Sequence, residues 1–140
     1  MENVQLQLQT GFIDRVTDEG IVAQRATDGY FNATAMCKAA NKKINDYGRL
    51  STTQAFVREL SSVTGIPATG LVQIIQGGTP QQQGTWVHPQ VAINLAQWLS
   101  PKFAVLVSKW VMEWMSGNIK QPSLPYHLRR YLVNMPNVPY

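Results

Sequence analysis

Gly77-Gly78-Thr79-Pro80-Gln81-Gln82-Gln83-Gly84-Thr85-Trp86-Val87-His88-Pro89 reads as a loop with glycines at both ends and amides at its tip. The apolar run Leu71-Val72-Gln73-Ile74-Ile75 precedes it and Trp86-Val87 follows. Two strand-forming runs joined by a glycine-containing loop predict a β-hairpin. Its base is apolar and its tip uncharged but rich in hydrogen-bonding groups. Such a hairpin is rooted in a core and projects toward a partner.

The segments after the hairpin supply that core. His88-Pro89 and Ser100-Pro101 each place proline at the first position of a helix, where its missing N–H costs nothing. In the first helix only Gln90, Asn94 and Gln97 are polar; in the second, Lys102, Lys109 and Glu113 form a similar narrow stripe. Phe103, Leu106, Val107, Trp110, Val111, Trp114 and Met115 cover most of the second helix, and Gly117 ends it. A helix apolar nearly all round is buried, and each large side chain contributes about 1.5–3 kcal/mol. The pair is therefore predicted to be the centre of the domain.

Upstream, Val4–Gln9 alternates apolar and polar residues. Phe12–Val16, Ile21–Arg25 and Tyr30-Phe31 continue as short strands separated by Asp18-Glu19-Gly20 and Thr27-Asp28-Gly29, which predicts a small antiparallel meander. Asn32 is placed as the N-cap of a helix over residues 33–40, with Asn41 at its end. Lys42–Leu50 is a loop by composition, and Ser51-Thr52-Thr53-Gln54 is a capping box opening a second helix. Phe56, Val57, Leu60 and Val63 form its apolar stripe, and Gly65 with Pro67 stops it. Two helices separated in this way resemble a helix-turn-helix with a lengthened linker. The fold class expected is α+β, a small antiparallel sheet with helices, occupying residues 1–117 as one domain. Residues 118–140 hold four of the eight prolines around Leu128, Tyr131, Leu132 and Met135. They read as a linker with a short docking helix, or as the start of a further domain.

Only 14% of the 140 residues are charged, yet the net charge is +4. The excess is concentrated: Lys38, Lys42, Lys43, Arg49 and Arg58 stand against Asp46 alone in residues 38–58, while the preceding stretch is acidic. That asymmetry predicts an electropositive face. The single Cys37 excludes an internal disulfide, and with only His88 and His127 no zinc set can be assembled. No metal or cofactor is expected. No secretory leader is recognisable. Pro101, Lys102, Lys109 and Glu113 break the apolar region 91–115 far short of the ~20 residues a bilayer needs. No membrane partner and a reduced, cytoplasmic setting are expected.

Lys38, Lys42, Lys43 and Arg49, interleaved with Asn45, Tyr47, Thr52 and Thr53, suit contact with phosphates, and a helix N-terminus adds backbone N–H donors for an anion. The competing reading is an ordinary basic surface beside a cap. Arg58, a turn further on, suits pairing with a carboxylate. Gln81, Gln82 and Gln83 carry amides that donate and accept together, and so match adenine in the major groove or bridge through water. The competing reading there is a solvated loop tip. Trp86, Trp98, Trp110 and Trp114 read as core rather than as stacking platforms for single-stranded bases. Cys37 reads as a structural thiol and His88 as a helix cap. Paired carboxylates and a phosphate-cradling Gly-x-Gly-x-x-Gly are lacking, so no enzyme is expected.

Tyr30-Phe31-Asn32-Ala33-Thr34-Ala35-Met36-Cys37-Lys38 resembles the opening of the KilA-N domain, and Arg49-Leu50, Thr52-Thr53 and Leu60 sit where that family has its "RL…T…L" pattern. Gly84-Thr85-Trp86-Val87-His88-Pro89, Ala92 through Trp98, Ser100-Pro101 and Trp110 are similar to its signature half. The resemblance covers about residues 20–117. It implies a winged-helix-like fold, akin to the fungal APSES DNA-binding domains, in a phage, prophage or large-DNA-virus protein. Double-stranded DNA is the implied partner. The protein is then a transcription-regulating module, expected near the nucleoid of a bacterial host, with residues 77–85 as the wing. The tip Pro80-Gln81-Gln82-Gln83 departs from the lysine- or arginine-bearing wing of many relatives. An antirepressor-type protein-interaction module is the alternative, with a protein partner or a second copy engaged through the C-terminal segment.

Overall fold

Along Phe12–Thr17 (β1), Ile13 and Arg15 are buried while Asp14 and Val16 are exposed, the period-2 signature of a strand with one face on a core. The computed structural model describes residues 11–117. After β1 come β2 (Gly20–Arg25), β3 (Phe31–Asn32), α1 (Ala33–Ala39), α2 (Ile44–Gly48), α3 (Ser51–Thr64) and α4 (Ala68–Leu71). Then follow β4 (Val72–Ile75), a 3-10 turn (Pro80–Gln82), β5 (Gly84–Val87), α5 (Pro89–Leu99) and α6 (Pro101–Ser116). The strands make one antiparallel sheet in the order β1-β2-β3-β5-β4. The expected α+β class, the meander and the hairpin are all present. The expected strand Val4–Gln9 and the segment 118–140 lie outside the described residues.

The helix pair after the hairpin forms as its punctuation predicts. The His88 side chain accepts from the Gln90 N–H and that of Ser100 from the Phe103 N–H, each followed by proline, and Gly117 closes α6 in a left-handed conformation. Val91, Ala92, Leu95, Ala96 and Leu99 of α5 meet Phe103, Val107, Trp110 and Val111 of α6 in the main core, joined by Phe31, Met36 and Val87.

Four local expectations are corrected. Lys42–Leu50 is not a loop throughout, because Ile44–Gly48 coils into α2 around the buried Tyr47, whose hydroxyl donates to Asn94 Oδ1 at 2.6 Å. A tertiary bond from α5 overrides a composition that locally favours coil. Helix α3 starts where expected but without a capping box: Leu50 is its N-cap, no side chain caps it, and Val63 is exposed rather than core. Leu71 ends the short helix α4 instead of opening β4. Helix α6 is not buried all round, since Val105, Met112 and Met115 are exposed, while Glu113, read as surface, is inside.

Glu113 is inside because of Arg15. Arg15 Nη1 donates to Glu113 Oε1 at 3.0 Å, Nη2 to the Trp110 carbonyl at 3.1 Å and Nε to Gln24 Oε1 at 2.9 Å. Gln24, fully buried, passes its own N–H to the Gly29 carbonyl. Burial lowers the Arg15 pKa, and Glu113 opposes the shift by favouring the cation. Glu113 Oε2 has no hydrogen-bond partner among the described residues. Beside this chain the Trp114 indole donates to the Ala26 carbonyl and covers Gly29, whose positive φ and 2.8 Å clearance leave no room for a Cβ. The polar chain thus pins α6 to the β1–β2 hairpin at a fixed angle and register.

A buried pair is weak evidence of net stability, but breaking it strands a charge. Glu113→Ala is expected to cost about 3–5 kcal/mol in urea denaturation, whereas joint Arg15→Met and Glu113→Leu replacement recovers most of that loss.

Candidate nucleic-acid interface

The wing is held at its root by three elements. Gly84 opens β5 at φ +129°, and a Cβ there would meet the Asn32 side chain at 3.0 Å, the same side chain that caps α1. The Thr85 N–H donates to Thr34 Oγ1 on α1 at 3.1 Å, and the His88 N–H to the Leu71 carbonyl at 2.9 Å. Trp86 turns to the sheet face opposite Val87, because neighbouring strand residues alternate. There it stacks on Phe12 at 5.5 Å, lies under the Arg25 guanidinium at 5.4 Å, and donates its indole N–H to the Gln82 carbonyl at 2.9 Å. One tryptophan therefore ties the tip to the sheet.

The tip is also folded upon itself. Thr79 and Gln82 form a reciprocal capping box, with the Thr79 N–H donating to Gln82 Oε1, and the Gln83 amide donates to the Gly78 carbonyl. Gln81 is exposed and its side chain has no partner among the described residues. Of the three glutamines expected to read bases, two have side-chain atoms committed within the loop and Gln81 stands free.

Between the wing and the basic segment lies a concavity of about 430 Å³. Ile44, Asn45, Gly48 and Arg49 of the α2 region form one wall, and Val72, Ile74 and Thr85 of the wing strands form the other. Asn45 and Arg49, expected at phosphates, thus lie across from the wing strands. Arg49 donates to Asp46 at 2.6 Å with both side chains largely in solvent. An exposed pair of this kind is worth about 0–1 kcal/mol, so the guanidinium exchanges readily onto another anion. Lys38, Lys43 and Arg58 are exposed and make no ion pair among the described residues; the carboxylate partner expected for Arg58 is not found there.

Three candidates sit elsewhere. Lys42 Nζ donates to the Trp98 carbonyl at 3.0 Å and lies 4.4 Å from the indole centroid, a cation seated at the C-terminal end of α5 where the helix dipole favours it. Tyr47 and Thr53 are buried beside one another, and burial pushes the Tyr47 hydroxyl up to about 12, partly offset by its bond to Thr53. They shape the wall rather than line its surface. Thr52 is exposed at the start of α3, and the N–H groups of Ser51 and Thr52 have no acceptor among the described residues. Sequence reasoning missed the apolar part of the lining, Ile44, Val72 and Ile74. Ile44 and Tyr47 at a helical spacing were the available signal for α2.

Burial pushes the Cys37 thiol up to about 11, so it stays protonated and is no nucleophile at neutral pH. No group of three His, Cys, Asp or Glu side chains among the described residues could hold a metal, and no described helix is long and apolar enough to cross a membrane.

Residues 14–117 match the family model described as the KilA-N domain. Three putative KilA-N domain-containing proteins of Acanthamoeba polyphaga mimivirus are similar to the chain. One is 33% identical over 93 residues, covering 62% of this chain and 26% of the relative. A second is 36% identical over 95 residues, covering 64% and 20%. A third is 38% identical over 101 residues, covering 71% and 27%. The chain thus spans about a fifth to a quarter of the length of these relatives. No solved structure matches it.

His88, where the wing enters α5, gives this region a pH dependence. Burial lowers its pKa below the ordinary 6.5, with the Asp28 carboxylate opposing. The folded chain keeps this imidazole neutral, accepting from Gln90, where the unfolded chain would protonate it. Stability is therefore expected to fall as pH drops through about 6.5 and to level off below the lowered folded value. Urea midpoints should show the decline in the parent and lose that part of it in His88→Asn, which caps without titrating.

Proposed function

The chain belongs to the KilA-N domain family, and from that premise we propose that it is a double-stranded DNA-binding domain of a regulator from a large DNA virus or related mobile element. The observation that carries this reading is the shared concavity, in which the wing strands face Asn45 and Arg49 across about 430 Å³. Lys38, Lys43, Arg49 and Arg58 would neutralise phosphates, and the uncapped start of α3 at Ser51 and Thr52 offers backbone N–H groups to one more. Gln81 would reach a groove at the wing tip, with Gln82 and Gln83 holding its shape. Lys42, Tyr47 and Thr53 would support this surface from behind. Catalysis has no place in this reading. The viral relatives support a viral setting over the bacterial nucleoid.

One observation favours a second reading as a protein-interaction module of antirepressor type. Val105, Met112 and Met115 expose an apolar stripe along α6, apart from the basic segment in the sequence. A pull-down that survives nuclease treatment would favour it.

Fluorescence anisotropy against a labelled duplex distinguishes the two. Four neutralised phosphates give a log–log salt slope of about −3.6, and Lys43→Ala with Arg49→Ala should bring it to about −1.8 while weakening all sequences alike. A parent slope near zero would remove the DNA reading.

A further inference from the structure

Ile74 is 70% exposed, an unusual place for a β-branched hydrocarbon on a wing strand otherwise covered by polar or half-buried residues. It is paired across the hairpin with Thr85, and both side chains line the concavity opposite Asn45 and Arg49. Val72 on the same wall and Ile44 on the opposite one add further apolar lining. A groove lined largely by hydrocarbon, with the solvent-exposed Arg49 in its wall and the exposed Lys43 next to Ile44 in the chain, fits an anionic partner that presents a small apolar group. Duplex DNA presents one such group along its major groove, the C5-methyl of thymine. The Asn45 carboxamide on the opposite wall matches the N6/N7 edge of the paired adenine.

We infer that Ile74, with Thr85 beside it, is the specificity-determining contact of the wing and reads a thymine methyl. The inference rests on the duplex-binding function above and moves sequence reading from the glutamine tip to the flank of the wing. The tip glutamines support this division, since the bonds of Gln82 and Gln83 shape the loop. Ile74 makes no comparable structural contribution, because most of its surface is already in water.

Duplexes selected by the protein from a random pool are rebuilt with deoxyuridine in place of thymidine, which removes the methyl and nothing else. The parent is expected to bind the thymidine form about four-fold more tightly for each methyl read, the worth of burying one methyl group. Ile74→Ala is expected to bind both forms equally, with an unchanged melting temperature and the parent's salt slope. Equal binding of the two forms by the parent overturns the inference, as does discrimination that survives in Ile74→Ala; in both cases salt-dependent duplex binding persists and the DNA reading stands. Absence of salt-dependent binding to any duplex overturns that reading and this inference with it.

Discussion

The wing depends on Trp86. A four-residue strand pair ending in an eight-residue connection of small and amide residues has little of its own to hold it in one direction. Trp86 supplies the missing constraint by closing three contacts from one side chain: Phe12 beneath, Arg25 against its face, and the tip carbonyl of Gln82 on its N–H. The indole is almost fully buried, so the donor end of this bond is shielded from water although Gln82 itself is exposed. Arg25 is in turn fixed by Asp28 and Gln73, so the clamp reaches from the first hairpin to the outermost strand. The direction of the tip is set by a buried residue.

Behind this clamp, two rigid connections give the site its second wall. Tyr47 hangs α2 on Asn94 of α5, and Lys42 is seated on the end of the same helix at Trp98. The basic segment is therefore not an independent arm. Its shape follows the central helix pair, and α6 is fixed against the first hairpin by Arg15 and Glu113. Wing and basic segment meet across a concavity because both are fastened to neighbouring parts of one core.

Much of this was legible in the residues and some was not, for physical reasons. Glycine, proline and capping signals act locally, so Asn32, Pro89, Pro101, Gly65 and Gly117 mark real boundaries. Glu113 was misread because its partner lies 98 residues away, and a carboxylate on a helical polar stripe looks the same in sequence whether solvent or Arg15 receives it. Helix α2 escaped because a five-residue helix is made by its tertiary bond, not by propensity. In the site, the charge cluster was visible, but the division of labour within it was not. Lys42 and Lys43 are adjacent in sequence, yet one is docked on a tryptophan and the other faces water.

The reciprocal bond between Thr79 and Gln82, followed by the Trp86 closure, has a consequence for how such a domain can diversify. Everything between Ile75 and Gly84 is held by bonds within the loop and by the Trp86 indole, which takes only the Gln82 carbonyl, a backbone group that any residue supplies. Lengthening a flexible loop costs only about 0.6 kcal/mol per doubling. The tip can therefore be exchanged for one of different length or charge while the sheet beneath stays the same. The fold separates a replaceable cartridge from the socket that aims it.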